Sequence, residues 1–132
     1  MIALDTNVLV RFLVADDPVQ SAASSRLIER AIARDESLYL SELVICETVW
    51  VLAGSYRVPR QRIIAMLRDL LRARHLVFSA PERLSRALDA FEKGKGDLAD
   101  YLIREDASRA GYATVATLDK VLWREEGFTR PG

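Results

Sequence analysis

Residues 2–7 read Ile-Ala-Leu-Asp-Thr-Asn. Ile2, Ala3 and Leu4 form a short apolar run that ends on an acid, which predicts a buried strand stopping at Asp5. Residues 8–14, VLVRFLV, follow as a short apolar helix, closed by the turn Asp16-Asp17-Pro18. A similar step recurs near the other end, where a strand over 112–116 leads into Thr117-Leu118-Asp119. Between these lie two further short strands, at 38–40 and 76–78. Helices are predicted over 19–34, over 42–53 and over 81–93. Another opens at Pro59 and carries the stripe Ile63, Ile64, Leu67, Leu70 and Leu71. A last one runs from about 98 to 110 and stops at Gly111. Strands alternating with helices predict an α/β fold, a short parallel sheet with helices on both faces.

The chain is 132 residues long, which suits one domain over 1–132. Half of it is hydrophobic, enough for a real core. Nineteen basic residues balance nineteen acids, so bulk positive charge cannot be what holds a nucleic acid. One cysteine, Cys46, excludes an intrachain disulfide and a Cys-rich zinc site. One histidine, His75, excludes His-based triads and paired-His metal motifs. Chemistry, if any, falls to carboxylates, hydroxyls or a bound metal. The first residues do not read as a signal peptide, and no run of about 18 apolar residues spans a membrane. The expected location is the cytoplasm.

Five acids stand out by position. Asp5 ends a strand, where sites of open α/β sheets lie, although it would also cap the helix after it. Glu47 falls in the apolar run 43–53, in a helix that reads as core on nearly every side. A carboxylate there needs a cation, an Arg partner or an exposed rim position. Asp97 and Asp100 share the first turn of the helix from about 98, where both also serve as cap and dipole partners, and Arg104 lies one turn beyond Asp100. Asp119 ends a strand as Asp5 does, or closes an ordinary turn. Carboxylates clustered at strand ends repel one another, and Mg²⁺ or Mn²⁺ offsets that repulsion with the hard oxygen ligands these ions prefer.

Taken together, four segments resemble the PIN-domain family. They are Asp5-Thr6-Asn7-Val8-Leu9-Val10-Arg11, the stretch from Ser41 to Leu52 around Glu47, Asp97-Leu98-Ala99-Asp100, and Thr117-Leu118-Asp119-Lys120, with Leu118 where Phe is common. Their order and spacing agree from residue 1 to about 127. The size and the Asp16-Asp17-Pro18 segment are similar to VapC-type toxins of bacterial type II toxin–antitoxin pairs. The resemblance implies a three-layer α/β/α sandwich, a homodimer, a cognate VapB-type antitoxin and an Mg²⁺- or Mn²⁺-dependent endoribonuclease acting on RNA. Asp5, Glu47, Asp100 and Asp119 match the acidic quartet that would bind metal and carry catalysis. Thr6, Asn7 and Thr117 match polar positions beside the metal, and Asp97 an extra acid there.

Arg11 and Lys120, next to the acidic motifs, are candidates for RNA contact. A second is the Arg-rich segment 57–74, which more simply reads as a solvated helix face. Tyr101 and Trp50 read as core aromatics rather than base-stacking platforms. The loop Lys93-Gly94-Lys95-Gly96 leads into the helix from about 98. The last five residues give no clear strand signal. Two rivals differ in class. A haloacid-dehalogenase-like phosphatase needs a second Asp where Asn7 stands. A non-catalytic module would use the acids only to dock a basic partner peptide.

Overall fold

The computed structural model describes residues 1–132, which form two compact units, Met1–Pro81 and Glu82–Gly132. The fold is α/β, with six α-helices and short parallel strands, in keeping with a PIN-like α/β/α class.

In the first unit β1 (Ile2–Ala3), β2 (Leu38–Leu40) and β3 (Leu76–Phe78) form a parallel sheet in that order. Ile2 pairs with Leu38, and Leu38 with Leu76. Leu38 and Leu40 of the central strand are buried, whereas Tyr39 and its register partner Val77 are exposed on the other face. The expectation of a buried first strand is corrected. β1 lies at the sheet edge, Ile2 is half exposed, and burial begins only at Leu4.

Helix α1 (Thr6–Val14) starts directly after that strand, because Asp5 caps it by accepting from Thr6 N at 2.7 Å. Its end is set by Ala15 in the left-handed region, and Asp17 then caps α2 (Pro18–Ala33) with Pro18 at its start. Ser41 caps α3 (Glu42–Gly54). Pro59 precedes α4 (Arg60–Arg72), whose stripe Ile63, Ile64, Leu67 and Leu70 is buried. Each such side chain contributes about 1.5–3 kcal/mol on leaving water. α1 packs on α2 and α3, and α4 on α3 and β3.

The second unit holds most of α5 (Pro81–Lys93), then α6 (Leu98–Arg109), β4 (Val115–Ala116), a 3-10 turn over Lys120–Leu122, and β5 (Phe128–Thr129). β5 pairs parallel with β4, so the C-terminus does supply a strand, two residues long and without the alternation that would announce it. The buried side chains here are Leu84, Ala87, Leu88, Phe91, Leu98, Tyr101, Leu102, Leu122 and Phe128. Tyr101 meets Phe128 edge to face, with ring centroids 6.2 Å apart at 74°.

Candidate active site

In the first unit Thr6 links two of the candidate acids, bonding one through its backbone and the other through its side chain. Asp5 caps α1, and that cap sets Thr6 at the helix start. The Thr6 side chain, itself buried, donates from Oγ1 to Glu47 Oε1 at 2.9 Å. The two residues are 41 positions apart, so this bond ties the start of α1 to the middle of α3. Asn7, in the same first turn, is exposed.

Glu47 is not desolvated in a core helix, as the apolar run around it implied. α3 buries Ile45, Thr48, Val49 and Leu52 on one face and leaves Leu43, Glu47 and Trp50 exposed on the other, at i, i+4 and i+7. A helix with apolar residues all round gives no sign of which face is covered. Trp50 is 51% exposed, which also corrects its reading as a core aromatic, while Tyr101 is core as expected.

In the second unit the acids are held by local geometry. Asp97 caps α6, accepting from Leu98 N at 2.8 Å, and Asp100 Oδ2 accepts from Asp97 N at 2.9 Å. Together they close a capping box. Burial pushes the Asp100 carboxyl up, and the charges of Asp97, Asp119 and Glu125 push it further; the backbone hydrogen bond to Asp97 opposes this. Asp119 follows β4 as expected. Thr117 Oγ1 accepts from Asp119 N at 3.1 Å, and Asp119 Oδ1 accepts from Val121 N at 3.2 Å. Glu125 had no signal in its local sequence. It accepts the Tyr101 hydroxyl at 2.7 Å, and a buried phenol's need for a partner is the one clue that pointed there. Arg104 does not act as the helix partner of Asp100. It bonds the Glu126 carbonyl at 2.7 Å and lies over the Tyr101 and Phe128 rings at 5.1 and 5.3 Å.

The family model for the PIN domain matches residues 2–125, nearly the whole chain and both units. The chain belongs to the PIN domain family. No curated protein matches it. PIN domains are generally nucleases and typically use divalent metal ions.

The donor set of this PIN domain fits such an ion by its chemistry. Every candidate ligand is a carboxylate, and the repulsion around Asp100 is what a divalent cation would neutralise. No three Asp, Glu, His or Cys side chains are gathered into a ready-made cage. Mg²⁺ does not require one, since it keeps several waters and takes one or two carboxylates.

Of the two candidate RNA-contact cations, Lys120 is exposed. Arg11 is engaged within the first unit. Its Nη1 donates to Asp16 at 2.8 Å and to the Tyr56 hydroxyl at 2.6 Å, and its Nε donates to Gln20 at 2.6 Å. The Tyr56 hydroxyl in turn donates to Asp16 at 2.6 Å. That bond, then Arg11, holds the Asp16 carboxyl below its usual range, and Asp16 pushes the Tyr56 phenol up.

Proposed function

We propose that this PIN domain is a metal-dependent endoribonuclease, the toxin of a type II toxin–antitoxin pair. In this reading it is cytoplasmic, works as a homodimer and is restrained by a VapB-type antitoxin. No helix is long and apolar enough to cross a membrane. The supporting observation is that the partly buried Asp100 carboxyl feels the like charges of Asp97, Asp119 and Glu125, within a chain that the family match spans almost entirely.

Asp5, Glu47, Asp100 and Asp119 are the acids assigned to metal and catalysis. When bound, Mg²⁺ or Mn²⁺ would make water a better nucleophile and offset charge building on the phosphate. Thr6 fixes the rotamer of Glu47 through the bond at 2.9 Å. The capping box fixes Asp97 and Asp100 together, and Thr117 orients the turn that carries Asp119. In this reading Asn7 would orient water, and Lys120, next to Asp119 in the chain, would meet a backbone phosphate. In-line attack of water would leave a 5′-phosphate and a 3′-hydroxyl.

The test is cleavage of a structured RNA panel with Mg²⁺, with Mn²⁺ and with chelator. Asp5→Ala and Asp100→Asn, purified separately, run beside wild type. The reading requires metal-dependent cuts with 5′-phosphate ends in wild type and none in either variant. Equal cutting by wild type and variants would mean the wrong site or a contaminating nuclease. A folded wild type that binds Mn²⁺ by calorimetry yet cuts nothing would favour a docking module.

A further inference from the structure

The loop Lys93-Gly94-Lys95-Gly96 joins α5 to α6 and holds two of the chain's three lysines. Its backbone is pinned residue by residue. Gly94 N donates to the Ala90 carbonyl at 2.7 Å, Lys95 N to Glu125 Oε2 at 3.1 Å, and Gly96 N to the Tyr101 hydroxyl at 2.9 Å. The glycines are needed for this close approach. A Cβ on Gly94 would run into the Tyr101 hydroxyl and Glu125, and one on Gly96 would lie 2.6 Å from Leu122 Cδ2.

The outcome is a rigid loop that presents two exposed lysines. Lys93 and Lys95 line a cleft of about 400 Å³ together with Arg104, Arg124, Glu125 and Glu126. Both oxygens of Glu125 are used by the loop and Tyr101, so its charge serves to hold the lysines' backbone in place. Arg104 is fixed over two aromatic rings and adds a fourth cation to the wall. The cleft has room for more than one phosphate group, and the loop runs directly into Asp97. A chain of zero net charge can hold a polyanion only through a local concentration of cations such as this.

We propose that this cleft is an RNA-backbone subsite, in which Lys93, Lys95 and Arg124 contact phosphates of the strand being cut. The inference rests on the ribonuclease reading above. Its contacts carry no base specificity and serve to position the strand.

The test measures binding of a labelled single-stranded RNA in chelator, where cleavage is suppressed, across a salt series. The variants are Lys93→Gln/Lys95→Gln/Arg124→Gln and, as a charge-matched control, Arg26→Gln/Arg30→Gln/Arg34→Gln on exposed positions of α2 and its C-terminal cap. Each lost phosphate contact lowers the slope of log K against log salt by about 0.7 for a single strand. The first triple variant is expected to bind at least about tenfold more weakly at low salt, with a slope reduced by about 2. The control should move neither quantity comparably, and melting curves check that both variants fold. If the first variant binds and cuts like wild type, or no more weakly than the control, the subsite is wrong and the ribonuclease reading stands. If wild type neither binds nor cuts RNA, the ribonuclease reading fails and the subsite fails with it.

Discussion

The first unit holds Glu47 by a bond across 41 residues, and the second holds Asp100 by a bond across three, within a helix cap. Asp5 and Glu47 are both exposed, and Glu47 depends on the buried Thr6 hydroxyl for its orientation. Asp100 is partly buried among like charges, and it depends on its own turn. One arrangement is tertiary and costs little in electrostatics. The other is local and carries repulsion that only protons or a cation relieve. The two halves should therefore fail differently when they are damaged.

The largest effect should come from removing an acid on either side. Asp5→Asn and Asp100→Asn are each expected to lower metal-dependent RNA cleavage by roughly 10²–10³-fold, the scale of losing one electrostatic contact in a transition state. Initial rates at saturating Mn²⁺ measure this. Retention of activity in one variant only would break the symmetry and confine the chemistry to a single unit. Next comes Thr6→Val, which deletes the bond to Glu47 and keeps the shape of the side chain. Cleavage should drop about tenfold through misplacement of Glu47. Stability should change by no more than about 1 kcal/mol, because the exposed carboxylate can turn to water. Asp97→Ala should show the opposite balance. Loss of the cap should cost about 1 kcal/mol in a denaturant titration. If Thr6→Val unfolds the protein and Asp97→Ala leaves it untouched, the contrast between tertiary and local support is wrong.

The same contrast explains what the sequence could reveal. The capping box is written in four consecutive residues, Asp97 to Asp100, and the helix from about 98 was legible down to its first turn. The stripe of α4 was legible too, because period and polarity agreed along it; four of its five members are buried and Leu71 is half-buried. By contrast α3 is apolar on two faces, so neither the exposure of Glu47 and Trp50 nor the Thr6 bond could be read from it. Arg104 offered a plausible partner one turn away in Asp100, yet it took the more distant carbonyl of Glu126 and two aromatic rings. β5 escaped because two residues show no period. Glu125 escaped because a hydrogen bond across 24 residues leaves no local mark.

The smallest effect is also the most diagnostic, since it separates the second unit from the first by sign. Burial first, then the charges of Asp97, Asp119 and Glu125, raises the Asp100 carboxyl above its ordinary value. The folded chain therefore binds this proton more tightly than the unfolded chain does. Above the folded-state titration the charged form costs stability in full. As pH falls through that titration, the native state takes up the proton first and stability from this group rises. Below the ordinary carboxylate range both states are protonated and the contribution stops changing. Asp100→Asn removes the charge, and its side-chain oxygen can still accept from Asp97 N, so the cap survives. In chelator at pH 7 the variant should melt slightly above wild type, and the gap should close as pH falls toward the carboxylate range. Mn²⁺ should reverse the order, because it binds and stabilises only the chain that keeps the carboxylate. Glu47→Gln, on an exposed helix face, should stay within about 0.5 kcal/mol of wild type at pH 7. A variant that loses cleavage and gains stability at one residue would mark Asp100 as a group kept for its chemistry at the expense of the fold. An Asp100→Asn chain less stable than wild type in chelator would show instead that the carboxylate is held mainly as a helix cap.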